Sequence, residues 1–361
     1  GYAVGWRGYD VDAPGESPSQ TVLAWSRFPM QGHKHADEMS LHFWADGVDW
    51  WTAVGYWPYG RPGREEAAGW PGSNAPHYVG EPADAPRSTQ LLGHAGGNSG
   101  LRLLDLRRTA TDYRARRQLV SLPGGSWAVI DSARHGGSRT TRAVWRTGPE
   151  VEVEQVGDGD FRLRGPGAGA GLRVWFRGAG TTTTVRGRPV EGMVVEARRP
   201  VATTSILLDR PSGGEPTLAA WRMGEGDAPE IQQWRDPEHW RLGLPGEGGT
   251  WQVTRTGSEV VVTGPSGSAT RARVQEGPRV GASRERIVEA FESMKREYGG
   301  FRSLVPYRIK TTWLTGGLFL LHLAGLAVLG YLLRSGRLAS YAVLAGWGAY
   351  IGWLRLHYFA I

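Results

Sequence analysis

The feature that most constrains the fold of this chain is a run of 21 residues without a formal charge, at positions 313–333. A helix of that length spans about 30 Å, the thickness of the hydrocarbon core of a bilayer. A second apolar run follows at 338–354, after a short loop that carries Arg334 and Arg337. The two runs predict a transmembrane helical hairpin over 312–361. A buried helical hairpin of a soluble protein is the alternative.

The positive charge of the chain lies beside these apolar runs. The formal net charge is +7, and residues 284–361 hold ten Lys or Arg against four Asp or Glu. A nucleic-acid-binding face would lie in the folded domain, which is close to neutral, so we expect no nucleic-acid partner. The basic residues suit lipid head groups instead. The chain has no Cys, which excludes disulfides, thiolate metal sites and cysteine nucleophiles.

An amphipathic helix is predicted just before the hairpin. Ser283 suits the N-cap, and an apolar stripe at helical spacing runs through Ile287, Val288, Phe291 and Met294. Residues 283–311 are therefore interpreted as a connector helix followed by a basic juxtamembrane segment.

Residues 1–282 show the pattern of short strands. With 54 Gly and 22 Pro, turn signals are frequent, and no long helical pattern interrupts them. The pattern predicts a mainly β fold, an antiparallel β-sandwich. The predicted strands are 40–46, 126–132, 151–156, 172–178, 204–209, 250–256 and 258–264.

Candidate chemistry is concentrated in the first 80 residues. His33 and His35 are two residues apart at the entrance to a strand, so in an extended chain both rings point to one side. His77 follows in a segment rich in Gly, Pro and Asn. Such a set of nitrogen donors suits zinc. The aromatic residues between them are expected in the core, with a sugar-stacking platform as the alternative for some.

Several segments resemble the C-terminal β-domain of heparinase II/III-like polysaccharide lyases, which is shared with alginate and oligoalginate lyases. The opening GYAVGWRGYD is similar to the start of that domain. The other segments that carry the resemblance, in the family's order, are GHKHADEMSLHFWADG (32–47), GVDWWTAVGYWPYG (47–60), RPGREE (61–66), APHYVGE (75–81) and RRQLVSLPGGSWAVID (116–131).

The resemblance implies roles for individual residues. His33 matches a catalytic histidine, His35 and His77 match metal ligands, and Tyr59 is assigned to substrate binding. Ala53 stands where the family has the Asp that supplies the third ligand, so bound zinc is expected to be weak or lost. The family's catalytic (α/α) toroid precedes the β-domain, and this chain begins where the toroid would end.

The sequence therefore predicts a membrane-anchored protein that acts on an acidic, uronate-containing polysaccharide by lyase-type β-elimination. The missing toroid would be supplied by another chain or by a missing N-terminal part. The β-domain is expected on the extracytoplasmic side of a bacterial envelope. Two alternatives remain open: a non-catalytic carbohydrate-binding or scaffold module, and a β-sandwich without a carbohydrate role.

The hairpin gives the first testable prediction. The full chain should remain in the membrane pellet after carbonate extraction, because two uncharged spans hold it there, whereas a chain truncated at Gly299 should be released. Immunoblots of pellet and supernatant measure the outcome. Release of both chains would contradict the hairpin.

Overall fold

A computed structural model describes residues 2–7, 19–24, 35–96 and 101–277, apart from 124, 168, 170, 179, 212, 214 and 215. His33, the connector helix and the hairpin lie outside the described residues. Within the described residues, no helix is long and apolar enough to cross a membrane.

The described residues form short strands with very little helix. One short helix, α1 (Arg64–Ala68), and a 3-10 turn (Trp70–Gly72) lie between the fourth and fifth strands. The strands, numbered in chain order, are β1 (Tyr2–Arg7), β2 (Ser19–Ala24), β3 (Leu41–Ala45), β4 (Val48–Trp51), β5 (His77–Tyr78), β6 (Arg87–Gly96), β7 (Arg102–Ala110), β8 (Tyr113–Ser121), β9 (Ser126–His135), β10 (Thr140–Arg146), β11 (Glu152–Gly157), β12 (Asp160–Arg164), β13 (Leu172–Gly178), β14 (Thr181–Arg186), β15 (Met193–Glu196), β16 (Arg199–Ala202), β17 (Thr204–Pro211), β18 (Thr217–Met223), β19 (Glu230–Asp236), β20 (His239–Gly246), β21 (Gly249–Thr256), β22 (Glu259–Thr263), β23 (Ala269–Arg273) and β24 (Gln275–Glu276).

The strands are arranged in antiparallel sheets. The central sheet has nine strands in the order β11-β12-β13-β18-β9-β8-β7-β6-β24. The small sheet is β14-β17-β10-β5, the N-terminal sheet is β1-β2-β3-β4, and the outer sheet is β19-β20-β21-β22-β23. Strands β15 and β16 pair separately. The predicted mainly β, antiparallel fold is confirmed.

Each of the seven predicted strands is present, with small shifts at the ends. The segment 172–178 coincides with β13, and 40–46 contains β3. The two-residue turn Asp46–Gly47 joins β3 to β4, with φ of 51° and 79°. Such positive φ values at both positions are typical of the hairpin turn that Asp-Gly favours.

Apolar residues fill both faces of the central sheet. On one face, Phe43 of β3, Trp145 of β10 and Trp221 of β18 are buried together, with ring centroids of Trp145 and Trp221 5.7 Å apart. On the other face, Trp175 of β13 is in one cluster with Leu242 of the outer sheet. We call the first the inner face. It is the face against which the predicted histidine-containing segment lies.

Candidate functional site

His77 lies in an irregular segment, residues 69–78, which we call the histidine segment. Only its last two residues form a strand, β5, which pairs with Thr141 and Arg142 of β10. Its carbonyl groups therefore need other partners. Buried arginines supply them.

Arg146 of β10 binds the start of this segment. Its guanidinium donates hydrogen bonds to the carbonyl oxygens of Pro71 (2.8 Å) and Gly72 (3.1 Å), and also to that of Val190 (2.9 Å). Burial lowers the pKa of Arg146 to about 9, so the group still carries its charge at neutral pH. A hydrogen bond to a charged donor contributes more than a neutral one, about 1.5–3 kcal/mol.

Arg117 of β8 binds the middle of the segment. It donates to the Asn74 carbonyl oxygen at 2.9 Å and to the Met39 carbonyl oxygen at 2.8 Å. Asp131 of β9 balances its charge with two bonds, at 2.8 and 2.7 Å. The Asn74 side chain in turn bonds both backbone groups of Leu41 in the manner of a neighbouring strand. The segment is thus joined to β3 and to the central sheet.

Arg108 of β7 binds the end of the segment. It donates to the Pro76 carbonyl oxygen at 2.7 Å and forms a fully buried ion pair with Glu81. Its guanidinium carbon lies 3.8 Å from the centroid of the Trp70 ring, a cation–π contact. The same Trp70 ring stacks on His77, with 6.2 Å between centroids and 16° between planes. Arg108 therefore positions the ring against which His77 packs.

His77 is held in one neutral form. Its Nδ1 lies 2.9 Å from the Ala75 carbonyl oxygen. Since a carbonyl only accepts, Nδ1 carries the hydrogen and the lone pair is on Nε2. Burial is the main cause that lowers the pKa of His77 to about 4; the charges of Arg108 and Arg142 contribute to the lowering, and the hydrogen bond to Ala75 opposes it. A neutral ring with a free Nε2 is the form that a metal ligand or a general base requires.

His35 lies at the start of the described part of this region and is half-buried. The next residue, Ala36, contacts the histidine segment: its carbonyl oxygen accepts a hydrogen bond from the Ser73 hydroxyl at 3.1 Å. Ala36, Trp70 and Ala75 form one small buried cluster. His35 therefore precedes one residue of that cluster in the sequence, and His77 stacks on another, Trp70.

The ligand set implied by the resemblance comprises only two histidines, His35 and His77. Among residues 35–96 and 101–277, no three His, Asp or Glu side chains are grouped to hold a metal ion. Ala53 offers no donor at the position of the missing carboxylate. Asp49 is exposed on β4, and Asp46 lies in the turn before it. A zinc site that uses His35 and His77 stays a prediction.

Tyr59, the predicted substrate-binding residue, belongs to an exposed aromatic group. Tyr56 and Tyr59 are 51% and 60% exposed, and their ring centroids are 5.8 Å apart. The Arg64 guanidinium lies 3.6 Å from the centroid of Tyr59 and is fixed by a hydrogen bond to the Trp57 carbonyl oxygen. We call these three residues the tyrosine platform. A hydrogen bond with the Tyr56 side chain, which favours the protonated hydroxyl of Tyr59, is the main cause of the raised pKa of Tyr59.

The helix α1 joins the platform to the histidine segment. Arg64 is its first residue, and the carbonyl oxygen of its last residue, Ala68, accepts a hydrogen bond of 2.7 Å from the Ala36 amide. Four steps of 1.5 Å separate the two ends, about 6 Å along the axis. Arg64 of the platform and Ala36, the residue after His35, therefore lie at opposite ends of this helix.

Arg64 lies in the segment 61–66, which is one of the segments that resemble the lyase family. The resemblance did not assign a role to any single residue of that segment. The buried Arg108, Arg117 and Arg146 were not predicted to have any role. The sequence pattern that could have revealed them is the alternation of each strand. Arg108 follows Leu106 by two residues, and Arg117 lies at the same spacing between Ala115 and Leu119. Leu106, Ala115 and Leu119 are buried on the inner face, so these two arginines point to the same face. An arginine at an inward position needs an acceptor there.

The fold is similar to part of several solved lyase structures. A solved structure of heparinase III superposes with a TM-score of 0.55 and 12% identity, covering 76% of this chain and 41% of that chain. Heparan sulfate lyase HepC from Pedobacter heparinus gives a TM-score of 0.53 and 12% identity, covering 70% of this chain and 41% of that one. A heparinase III described as the BT4657 gene product gives 0.52 and 11%, covering 72% and 39%.

The resemblance predicted from the sequence is therefore confirmed at the level of the fold. The chain spans about two-fifths of the length of these solved relatives. No protein-family model matches the chain, and no curated protein matches it in sequence.

The buried state of His77 makes stability depend on pH. The ring binds a proton at a pKa of about 4 in the folded protein and at about 6.5 when unfolded, so the unfolded state binds more protons between these values. Stability should therefore fall by about 3 kcal/mol as the pH drops from 6.5 to 4. The His77→Gln variant lacks this titrating group, so its stability should not show this fall. The free energy of unfolding of the wild type should therefore approach that of His77→Gln by about 3 kcal/mol between pH 6.5 and 4.

Urea unfolding at pH 7.5, 6.0 and 5.0, with a chelator present, measures the part of this effect that develops by pH 5, about 2 kcal/mol. His94→Gln, at a partly exposed histidine on β6, is the matched control and should follow the pH dependence of the wild type. An unchanged difference between His77→Gln and the wild type at all three pH values would show that His77 is not held neutral.

Proposed function

We propose that the chain binds an acidic polysaccharide across the tyrosine platform and the histidine segment. The observation that carries this proposal is the platform itself. Two exposed tyrosine rings and one fixed guanidinium combine an apolar surface for a sugar ring with a cation for its carboxylate. Isolated exposed aromatics need no explanation, but a pair of rings held together by an arginine is a typical carbohydrate-binding arrangement.

The fold supports the choice of ligand class. The solved relatives named above are a heparinase and a heparan sulfate lyase, which by name act on acidic polysaccharides. Their identity to this chain is low, so the ligand class is carried to this chain as part of the proposal.

The proposed activity is β-elimination at a uronate. That reaction needs a cation to neutralise the carboxylate, a base for the C5 proton and an acid for the leaving oxygen. Arg64 is suited to the first role, and His33, by resemblance, to the second. We propose that groups of an N-terminal toroid, on this protein or on another chain, complete the set.

A non-catalytic carbohydrate-binding module is the second candidate. The observation that favours it is the burial of His77: the side chain is 3% exposed and packs against Trp70. A group so placed contacts a substrate only if the segment around it moves. Under this reading the platform binds the polymer and no bond is broken.

The membrane hairpin over 312–361 places this activity at a bacterial envelope in our proposal. The β-domain would face the extracytoplasmic side, where such polymers occur. It would then act on polysaccharide close to the membrane surface.

The platform gives a direct binding test. Tyr59→Ala and Arg64→Gln should each weaken binding of a heparan sulfate or alginate oligosaccharide by about tenfold, because each removes a contact of about 1.4 kcal/mol. Tyr59→Phe should keep most of the affinity, since the ring remains. Calorimetry with the full chain in detergent measures these affinities.

Arg61→Gln is the matched control, because Arg61 is exposed in the same loop three residues earlier. It should bind like the wild type, and a neutral glucose oligomer should bind to none of the proteins. Equal affinity of Arg64→Gln and Arg61→Gln for the acidic oligosaccharide would contradict the platform.

A further inference from the structure

The central sheet carries a second concentration of positive charge, on the face opposite the inner one. Arg162 of β12 is paired with Arg173 of β13, and Arg173 is paired with Arg222 of β18. Like charges directly opposite each other on neighbouring strands are destabilising. Arg222 donates to the Gly246 carbonyl oxygen of the outer sheet at 2.8 Å, so Arg162 and Arg173 are the members of this row that need further acceptors.

The neighbouring acids only partly balance this row. Arg162 bonds Glu225 at 3.0 Å, and Arg164, two residues along the same strand, bonds Glu154 at 2.9 Å. Both carboxylates are well exposed, at 70% for Glu225 and 49% for Glu154. The three guanidiniums of Arg162, Arg164 and Arg173 thus share two carboxylates, and positive charge remains.

Arg173 is the least satisfied member. Its side chain is only 15% exposed, and its nearest acid, Glu225, lies 3.8 Å from Nε, beyond hydrogen-bond distance. Its Nε and Nη1 are buried and donate no hydrogen bond within the part of the chain that the structure describes. Buried donors of a charged group are normally bonded, so these two point to an absent acceptor.

These side chains line one groove. Arg162, Arg164, Arg173 and Glu225 border it, together with Gly171 and Gly224, and its volume is about 310 Å³. This space suits one charged sugar unit. Phe161, Leu163, Leu172 and Val174 alternate with the arginines and are buried on the inner face, so the groove faces away from Trp70 and His77.

We propose that this arginine groove is a second, separate binding site for an oxyanion, a carboxylate or a sulfate group, carried by an acidic saccharide. Arginine donates charge-assisted hydrogen bonds to both groups, and Nε and Nη1 of Arg173 have no other hydrogen-bond acceptor among the described residues. The contacts within the groove support the binding of an oxyanion. The assignment of that oxyanion to a saccharide rests on the proposed function.

Inorganic sulfate tests the oxyanion site by itself. The full chain in detergent is titrated with sodium sulfate by calorimetry at constant ionic strength, with chloride as the reference salt. Arg173→Gln should weaken sulfate binding at least tenfold, because it removes the buried donors. Arg107→Gln, an exposed arginine of the central sheet that bonds Gln90, is the matched control and should bind like the wild type.

Glu225→Gln tests the same site without replacing a buried residue, in case Arg173→Gln does not fold. Glu225 is exposed, so its replacement leaves the core intact, and it removes a carboxylate that competes with the ligand. It should tighten sulfate binding several-fold. Equal sulfate affinity of Arg173→Gln and Arg107→Gln, or no gain with Glu225→Gln, would overturn the oxyanion site.

The saccharide assignment is tested with a heparan sulfate oligosaccharide in the Tyr59→Ala background, where the platform is impaired. The oligosaccharide should displace sulfate from the groove in this variant, and Arg173→Gln should abolish the displacement. Sulfate binding without displacement would overturn the saccharide assignment but leave the oxyanion site. Loss of platform binding alone, with the groove intact, would bear only on the proposed function.

Discussion

Three buried guanidiniums hold the candidate site together. The histidine segment has almost no sheet hydrogen bonds of its own, and the carbonyl oxygens of Pro71, Gly72, Asn74 and Pro76 are instead bonded by Arg146, Arg117 and Arg108. Each arginine comes from a regular strand behind the segment. An irregular stretch of chain therefore acquires a fixed conformation from the sheet, because a charged donor that fits several acceptors at once is costly to leave unpaired in the interior.

This arrangement explains how one region combines a buried histidine with an exposed binding surface. The Trp70 ring contacts Arg108 on one side and His77 on the other. The ion pair between Arg108 and Glu81 therefore also fixes the imidazole. The short helix α1 then leads from the platform to the residue beside His35. The rigid part of the site belongs to the sheet, and the exposed part lies on loops, which is a common division in binding proteins.

The sequence was sufficient for the fold class, because strand patterns such as Leu41–Ala45 alternate between buried and half-buried positions. The resemblance also led to Tyr59 and His77, since short motifs keep their order along the chain. It could not reveal the roles of Arg108, Arg117 and Arg146. The carbonyl oxygens that they bond lie from 32 to 78 residues away in sequence, and only the pairing of strands brings them together. Likewise, the row of Arg162, Arg173 and Arg222 depends on strand register, which no local pattern gives.

The most direct test of this account is hydrogen exchange of the histidine segment in Arg108→Gln and Arg107→Gln, two neighbouring arginines of which only the first is buried. If buried guanidiniums hold the segment, amides in 70–78 should exchange about 100-fold faster in Arg108→Gln, because breaking a buried pair costs about 3–5 kcal/mol. Peptides covering β12 and β13 should keep their protection in both variants. Equal exchange of residues 70–78 in the two variants, or uniform loss of protection throughout the domain, would contradict it.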